Sequence, residues 1–334
     1  MPTIHSEAII NYLRTFADAR GAVSYADFSR AALFLPKHGY YAQQGRARVG
    51  KSTQTDFYTA SSLRGGVFAQ LILESFEKLL GREFCAQATL VEIGAEPGQG
   101  LFHSDKGAFK DAFCLRLGES LTIPKYAAVF ANEWLDAQPF HSFRKTADGW
   151  KEIGVCLATN PLEECFLGSP SPHAADFIAS CLNKYDIAEG YRLDLSLEAS
   201  QCLEHICAQD WQGAFITADY GHFFDELIES FPEGTARAYR RHTVQNNLLE
   251  PPGEIDLTCD VCWDFLESVL STHQFDGVCT RRQEAFFMQN ALENIGKIVQ
   301  IPDPSDARKR ALAELLHPEQ LGARFQVLSG VRRG

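Results

Sequence analysis

The sequence lacks several features that would place the chain in other protein classes. No apolar run in its 334 residues reaches the roughly 18 to 20 residues that a membrane span requires. The polar N-terminus, with Glu7 near its start, does not have the pattern of a signal peptide. An excess of positive charge is also missing: the formal net charge is −12, whereas non-specific nucleic-acid binding depends on a positive field. We therefore expect a cytoplasmic protein that binds neither membranes nor nucleic acids.

The cysteines do not indicate a disulfide or zinc framework. Ten are present, and most lie in apolar segments such as Phe113–Leu115, which is typical of buried thiols in a reducing compartment. Cys259 and Cys262 form a Cys-x-x-Cys pair with no second pair nearby. A metal site is therefore not predicted, and the role of this pair stays open.

Apolar periodicity predicts an α/β protein. Short apolar strands alternate with amphipathic helices along most of the chain, a pattern typical of a sheet with helices on both faces. A hairpin is predicted around Asp148-Gly149, single helices over 62–80 and 283–298, and a last strand over Phe325–Val331. The length suits one large α/β domain with insertions, or two domains.

One motif match is judged false. Residues 45–52 satisfy the phosphate-loop pattern G-x-x-x-x-G-K-[ST]. Such a loop binds phosphate when it connects a buried strand to a helix, because its backbone N–H groups then face the ligand. Here the preceding residues are polar, and the following residues favour extended chain. The match therefore does not favour an NTPase.

Three segments place glycines or polar residues directly after predicted strands: Gly94–Gly100, Asn132–Asp136 and Asp219–Gly221. Open α/β sheets bind ligands at the carboxyl ends of their strands, so each segment is a candidate site. For Gly94–Gly100 the alternative is an ordinary βα turn. For Asn132–Asp136 it is a capped turn in which Asn132 or Asp136 satisfies backbone N–H groups. The basic stretch 234–242 is exceptional in an acidic chain, and an edge strand protected by charge would explain it as well as a binding role.

Eight segments, in order along the chain, carry a family resemblance: 36–41, 56–61, 91–94, 132–140, 150–152, 219–221, 234–242 and 253–258. Together they resemble the MidA-like family of class I S-adenosylmethionine-dependent methyltransferases, which has mitochondrial and bacterial members. The resemblance implies a Rossmann-like, seven-stranded sheet with helices on both faces, an N-terminal helical segment and added elements that cover the site. The division expected is residues 1–80 as the helical and lid segment and 81–334 as the methyltransferase-like domain, with insertions at about 145–210 and 235–300.

The resemblance also implies S-adenosyl-L-methionine as the cofactor. The residues expected to bind it are Gly39, Tyr40, Asp56, Phe57, Glu92, Gly94, Gly98, Gly100 and Glu119. The sequence departs from the family pattern in two places. The first glycine turn is longer and contains Pro97, and the span from Gly100 to Asn132 is too short for a full strand–helix unit. Glu119 is the candidate replacement for the acid that holds the ribose hydroxyls in class I enzymes.

The implied activity is methylation of a protein side chain, which in the mitochondrial members is arginine. The expected partner is then a protein or peptide substrate. Because carboxylates bind a guanidinium group bidentately, Glu133 and Asp136 are candidate catalytic residues. Asn132 would hold either the acceptor or the amino-acid part of the cofactor. Methyl transfer needs in-line approach in a dry site and little acid–base help.

A second hypothesis comes from another functional class. Since the first glycine turn is altered, the chain could be a catalytically degenerate relative that keeps the methyltransferase fold. Such a protein would use the surface at Asn132–Phe140 to bind a partner or to assist assembly. Binding of the methyl donor separates the two hypotheses.

Overall fold

Helices open the chain, and strands then alternate with helices in a computed structural model that describes residues 3–43, 48, 56, 60, 66–95, 100–241, 243–245, 247–249 and 251–334. The helices are α1 (Ile4–Arg14), α2 (Tyr25–Phe34), α3 (Val67–Leu80), α4 (Arg82–Cys85), α5 (Pro172–Ser180), α6 (Leu197–Cys207), α7 (Phe224–Ser230), α8 (Trp263–Thr272), α9 (Gln283–Asn290), α10 (Leu292–Val299) and α11 (Ala307–Leu316). The strands are β1 (Ala22–Ser24), β2 (Thr89–Ile93), β3 (Asp111–Leu115), β4 (Tyr126–Asn132), β5 (His141–Thr146), β6 (Gly149–Cys156), β7 (Glu163–Phe166), β8 (Arg192–Leu195), β9 (Gln212–Asp219), β10 (Gly221–His222), β11 (Arg237–Arg240), β12 (Thr243–Gln245), β13 (Asp256–Thr258), β14 (Val261–Cys262), β15 (Asp276–Arg282) and β16 (Gln326–Arg332).

The main sheet has six strands in the order β15-β16-β9-β4-β2-β3. Strands β3, β2, β4 and β9 are parallel, whereas β16 runs antiparallel to both β9 and β15. After β2 the chain forms β3 on one side and then crosses to β4 on the other. This reversal creates a crevice at the carboxyl ends of β2 and β4, the place where open α/β sheets bind ligands.

The seven-stranded sheet that the family resemblance implies is corrected to six strands. Residues 116–125 connect β3 to β4 without a helix or strand. A parallel crossover needs about a dozen residues or more, so this connection is too short to add another strand–helix unit. The short span that the sequence shows between Gly100 and Asn132 therefore corresponds to a missing unit beside β3.

Both faces of the main sheet are covered by helices. Phe130 of β4 belongs to an apolar cluster with α3, α9, α10 and α11, while its neighbour Val129 belongs to a second cluster with α6 and α8. Because side chains alternate across a strand, a strand buried on both faces must be apolar throughout, as Ala127–Ala131 is. The predicted α/β class with helices on both faces is confirmed.

Added elements surround the carboxyl ends of the main sheet. A five-stranded sheet has the order β1-β6-β5-β8 with β7 paired to β6, and a three-stranded sheet has the order β12-β11-β13. Helices α1 and α2 share an apolar cluster with parts of both. The segment after β13 is bound to the main sheet, since Cys259 N donates to Asp136 O at 2.9 Å and Val261 N donates to Tyr220 O at 2.9 Å. The chain that leaves the three-stranded sheet is therefore joined to the segments that follow β4 and β9.

The predicted helix over 283–298 is wrong in one respect, because it is two helices. Ala291 leaves helical geometry, with φ −136° and ψ 34°, and ends α9. The Glu74 carboxylate of α3 then accepts hydrogen bonds from Glu293 N at 2.9 Å and Asn294 N at 2.8 Å. These contacts satisfy free N–H groups in the first turn of α10, so tertiary packing stabilises a break that periodicity alone does not predict.

Most of residues 44–65 lie outside the described part of the chain. Of the phosphate-loop match at 45–52, only Arg48 is described. Of the helix predicted over 62–80, the described part forms α3 from Val67.

Candidate active site

The turn after β2 is held by a buried carboxylate. Glu92 Oε2 accepts hydrogen bonds from Leu101 N at 2.7 Å and from Cys114 Sγ at 3.5 Å. Burial raises the pKa of Glu92, although these hydrogen bonds oppose the shift. Gly100 lies close by, where an added Cβ would be 2.5 Å from Cys114 Sγ. The predicted residues Glu92 and Gly100 therefore lie together at the crevice.

Gly94 begins this turn with a φ of +79°, a conformation that favours glycine. An added Cβ would lie 2.7 Å from Cδ1 of Trp134, in the segment that follows β4. The absence of a side chain thus lets the two crevice segments pack directly. Gly98, which was also predicted to bind cofactor, lies outside the described residues.

Glu119 lies in the exposed turn after β3. Its Oε2 accepts a hydrogen bond from Arg116 N at 2.8 Å, so the carboxylate closes its own turn. Residue 116, the first after β3, is an arginine rather than an acid. The expectation that Glu119 holds a ribose stays a prediction.

Asn132 ends β4, and Glu133 begins the following turn. Asn132 Nδ2 donates a hydrogen bond to Glu133 Oε1 at 2.9 Å. Within the described part of the chain, the buried Asn132 Oδ1 accepts no hydrogen bond. Glu133 has a φ of 47°, which is unusual for a residue other than glycine, and its N–H donates to Ala218 O at 2.9 Å. The buried side-chain oxygen of Asn132 therefore lies next to Glu133, whose backbone conformation is constrained.

Asp219, at the end of β9, fixes the next part of the same turn. Its Oδ2 accepts hydrogen bonds from Leu135 N at 3.0 Å and Asp136 N at 3.3 Å. Both aspartates are buried, with 0% of Asp219 and 5% of Asp136 exposed. The ends of the two neighbouring strands thus bring two carboxylates together.

The crevice has a strongly negative electrostatic environment. Burial is the largest cause that raises the pKa of Glu133, and the charges of Asp136 and Asp256 raise it further. Burial also raises the pKa of Asp136 well above its usual range, followed by the charges of Asp219 and Asp256 and opposed by that of Arg237. Carboxylates arranged in this way favour a cationic ligand, because a positive charge relieves their mutual repulsion.

Aromatic hydroxyls and one arginine surround these carboxylates. Tyr41 Oη donates to Asp256 Oδ1 at 2.9 Å. The Arg237 guanidinium lies 5.7 Å from the Tyr220 ring centroid and forms an ion pair with Asp260. A guanidinium is therefore already accommodated beside this cluster by one carboxylate and one aromatic face.

The predicted N-terminal residues form a separate contact beside the three-stranded sheet. Tyr40 Oη donates to Asp56 Oδ2 at 2.8 Å, and Arg241 N donates to Asp56 Oδ1 at 3.0 Å. At Gly39 an added Cβ would lie 2.5 Å from Leu35 N, so the turn packs tightly on the end of α2. Phe57 lies outside the described residues.

The Cys259 and Cys262 thiols are buried and free. Burial is the main cause that raises both of their pKa values, which disfavours the thiolate form that binds metals. Among the described residues, no group of three or more histidines, cysteines and acids is arranged to hold a metal ion.

The sequence patterns identified two carboxylates of the cluster, Glu133 and Asp136, but gave no role to the other two. Glu133 and Asp136 follow an apolar strand, and this signal identified them. Asp219 follows a strand in the same way but carried no assigned role, and Asp256 lies in a segment singled out only by resemblance. Their proximity depends on strand order and on the added sheet, which the local sequence does not reveal.

Comparison with known proteins decides the family. A family model described as an S-adenosyl-L-methionine-dependent methyltransferase matches residues 109–278. A Caenorhabditis elegans protein named protein arginine methyltransferase NDUFAF7 homolog, mitochondrial, is 33% identical over 304 residues, which cover 75% of this chain and 68% of the relative. The chain belongs to this methyltransferase family. S-adenosyl-L-methionine is accordingly its cofactor, and the alternative of a degenerate, non-catalytic relative is not favoured.

Two further proteins are similar to the methyltransferase over nearly its whole length. Protein arginine methyltransferase NDUFAF7, mitochondrial, of Danio rerio is 24% identical over 385 residues, covering 97% of this chain and 87% of the relative. The crystal structure of a Burkholderia thailandensis protein bound to S-adenosyl-homocysteine has a TM-score of 0.83 at 22% identity, covering 99% of this chain and 95% of that one. The second likeness shows that the two proteins share a fold.

The expected cytoplasmic localisation is wrong. The relatives from Danio rerio, Caenorhabditis elegans and Drosophila melanogaster are all named as mitochondrial proteins. The expectation was based on net charge and on the composition of the first residues, and both are weak guides to compartment. Within the described residues, no helix combines the length and apolar character that crossing a membrane requires.

Proposed function

We propose that this methyltransferase transfers a methyl group to the guanidinium of an arginine in a protein or peptide. The observation that carries the proposal is the cluster of Glu133, Asp136 and Asp256 at the switch point of the sheet. Carboxylates of this kind can bind a guanidinium through paired charge-assisted hydrogen bonds. The relatives named as protein arginine methyltransferases support the same acceptor.

The cofactor fits the other side of the crevice. We assign Asn132 Oδ1 to the ammonium group of its amino-acid part, because this buried oxygen accepts no hydrogen bond within the described residues. Glu92, Gly94 and Gly100 are assigned to the cofactor side as well. Glu92 accepts a hydrogen bond from Leu101 N directly after Gly100, and Trp134 and Cys114 pack where side chains on Gly94 and Gly100 would lie. The remaining residues predicted to bind cofactor stay predictions: Gly39, Tyr40, Asp56, Phe57, Gly98 and Glu119.

The chemistry follows from the charges of the chain. The bound cofactor supplies an electrophilic methyl group on a sulfonium. Glu133 and Asp136 orient the acceptor guanidinium and direct its electron density toward the attacking nitrogen. That nitrogen gains a methyl group and must release a proton, and a carboxylate with a raised pKa is suited to hold it. Positioning accounts for most of the acceleration.

The test uses the full chain with a labelled methyl donor and paired peptides that contain either arginine or lysine. We expect methylarginine in the first peptide and no product in the second. Glu133→Gln should bind S-adenosylhomocysteine with unchanged affinity in calorimetry and lose activity by about 10²- to 10⁴-fold. Mass spectrometry of the peptide identifies the product.

Asp148→Asn is the matched control, because Asp148 is exposed in the turn between β5 and β6, where it pairs with Lys151. This variant should keep full activity. Methylation of the lysine peptide, or full activity of Glu133→Gln, would refute the arginine proposal.

The division of the chain at residue 80 remains a proposal. We assign residues 1–80 to the N-terminal helical and lid segment and 81–334 to the methyltransferase-like domain. α1 and α2 pack with the added sheets, which supports a separate N-terminal part, whereas α3 packs on the main sheet. Limited proteolysis with mass determination of the fragments tests this boundary.

A further inference from the structure

Asp219 is a buried carboxylate to which neither the sequence motifs nor the proposed chemistry gives a role. It is the last residue of β9, the strand beside β4 in the main sheet, and 0% of it is exposed. An ionisable side chain is almost never fully buried unless its charge is compensated. Its compensation here comes from backbone N–H groups.

Three such groups donate to it. Asp219 Oδ2 accepts from Leu135 N at 3.0 Å and from Asp136 N at 3.3 Å, while Oδ1 accepts from Tyr220 N at 2.9 Å. The first two donors belong to the turn after β4, so one carboxylate joins the carboxyl ends of two neighbouring strands. Burial raises the pKa of Asp219 to about 7, and the three backbone hydrogen bonds oppose this shift because they favour the ionised carboxylate.

The connection constrains the residues proposed to bind the acceptor. Glu133 adopts a φ of 47°, a left-handed conformation that is strained for a residue with a side chain. Such a conformation persists where surrounding contacts determine it. Here the contacts are Glu133 N to Ala218 O at 2.9 Å on one side and the two bonds to Asp219 on the other.

Asp219 also contributes charge to the site. The titratable groups that face this region are Glu133 and Asp136 in the turn, Tyr220 after β9, Arg237 and Tyr239 on β11, Asp256 on β13, and Tyr41 after α2. The negative charge of Asp219 raises the pKa of Asp136. Removing that charge should therefore lower the pKa of Asp136 and let it ionise at a lower pH.

We infer that Asp219 is a positioning residue for methyl transfer, which holds the Glu133–Asp136 turn in its acceptor-binding geometry through Leu135 N and Asp136 N. The inference rests on the proposed function, since it assumes that Glu133 and Asp136 meet the acceptor. Asp219 itself does not touch the reacting atoms.

The test is the pH–rate profile of Asp219→Asn with the arginine peptide. The amide keeps one acceptor oxygen but puts an N–H₂ group where a second acceptor was, so the turn loosens. A displacement of about 1 Å is worth roughly 10²-fold in rate, and we expect kcat to fall by about 10- to 100-fold. Affinity for S-adenosylhomocysteine should stay unchanged. The acid limb of the profile should move to lower pH because the neighbouring negative charge is gone.

Asp194→Asn is the matched control. Asp194 is also buried, with 1% exposed, and accepts a backbone hydrogen bond from Ala236 N at 3.1 Å, but it pairs with Arg192 on the same strand, β8 of the five-stranded sheet. This variant should lose stability while keeping the acid limb in place. Asp219→Ser, whose hydroxyl can still accept one N–H bond, provides a second variant, and rates are measured below the unfolding midpoint of each protein.

Three outcomes are distinguishable. A fall in kcat with a shifted acid limb in both Asp219 variants supports the inference. Unchanged kcat and an unmoved limb, with Glu133→Gln inactive, overturn the inference and leave the proposed function standing. Full activity in both Asp219→Asn and Glu133→Gln overturns the two together.

Discussion

Gly94 shows how a single residue joins the two halves of the crevice. Its positive φ turns the chain after β2, and the absence of a Cβ lets the Trp134 ring pack against the backbone. Trp134 in turn lies beside Glu133 in the turn that follows β4. This contact therefore connects the side of the crevice proposed for the cofactor to the side proposed for the acceptor.

We predict that Gly94→Ala weakens both stability and cofactor binding. A Cβ 2.7 Å from Trp134 forces a shift of backbone or ring, and such overpacking costs about 1 to 3 kcal/mol. The positive φ adds about 1 to 2 kcal/mol. Urea unfolding measures the loss of stability, and calorimetry with S-adenosylhomocysteine measures the loss of affinity.

Gly66→Ala separates the two causes. Gly66 is also left-handed, with φ +64° and ψ 16°, but no atom of the described residues lies within 4 Å of an added Cβ, so this variant carries the conformational cost alone. We expect it to lose less stability and to keep its cofactor affinity. If the two variants lose the same stability and both keep affinity, the Trp134 contact does not control the turn.

At the scale of elements, a buried ion pair connects β5, β6 and α6. His141 Nδ1 lies 2.8 Å from Glu152 Oε1, and His141 Nε2 lies 3.5 Å from Glu198 Oε1. Glu152 also accepts a hydrogen bond from Ser171 N at 2.6 Å, which orders the start of α5. Burial alone would lower the pKa of His141, but the two carboxylates raise it to about 9.

The stability of this region should therefore depend on pH. Since the folded pKa of about 9 lies above the ordinary 6.5, the pair stabilises the fold fully below pH 6.5 and loses this contribution as the pH rises through 9. Each pKa unit corresponds to about 1.4 kcal/mol. His141→Gln should lose a few kcal/mol of unfolding free energy below pH 6.5 and much less above pH 9, as measured by urea denaturation.

His273→Gln provides the comparison. His273 pairs with Glu204 at 2.7 Å, but the glutamate side chain is half exposed, so solvent screens the interaction. We expect a loss of unfolding free energy below about 1 kcal/mol. A flat pH response of His141→Gln would show that the buried histidine is neutral in the fold.

Periodicity predicts the elements that are apolar and misses those that are not. The last strand, predicted over Phe325–Val331, agrees with β16 (Gln326–Arg332) within one residue, because its five central residues are all buried. Strand β15 (Asp276–Arg282) was missed, since it lies at the sheet edge with largely exposed polar residues. The break at Ala291 was missed for another reason: Glu74, far away in sequence, caps the second helix.

At the scale of the molecule, residues from two separate sheets line the crevice. The main sheet supplies the turn after β4 and Asp219, while the three-stranded sheet supplies Asp256 and Arg237. Local sequence could predict the first set from its position after apolar strands. The second set reaches the crevice only because the added sheet is bound to the main one, as in the hydrogen bond from Cys259 N to Asp136 O.

Because the two sheets bring several carboxylates together, we expect the cluster to reduce the stability of the fold while it serves activity. A carboxylate whose pKa is raised in the fold is more easily ionised in the unfolded chain, so it destabilises the fold at neutral pH and stops doing so as the pH falls. We predict that Asp136→Asn gains about 1 to 3 kcal/mol of unfolding free energy at pH 8, where it is inactive. The gain should shrink toward low pH.

Asp260→Asn should behave in the opposite way. Asp260 is as deeply buried as Asp136, but it is paired with Arg237, so its loss leaves a guanidinium without its carboxylate. We expect this variant to lose about 1 kcal/mol, a figure reduced by the partial exposure of Arg237. Urea unfolding at pH 8 and pH 5 measures both variants. The two substitutions are chemically identical. If they change the free energy of unfolding in opposite directions, the negative charge of Asp136 in the crevice lowers stability and is retained for catalysis. A loss in both would mean that Asp136 stabilises the fold, and that the cluster is compensated within the chain before any cationic acceptor arrives.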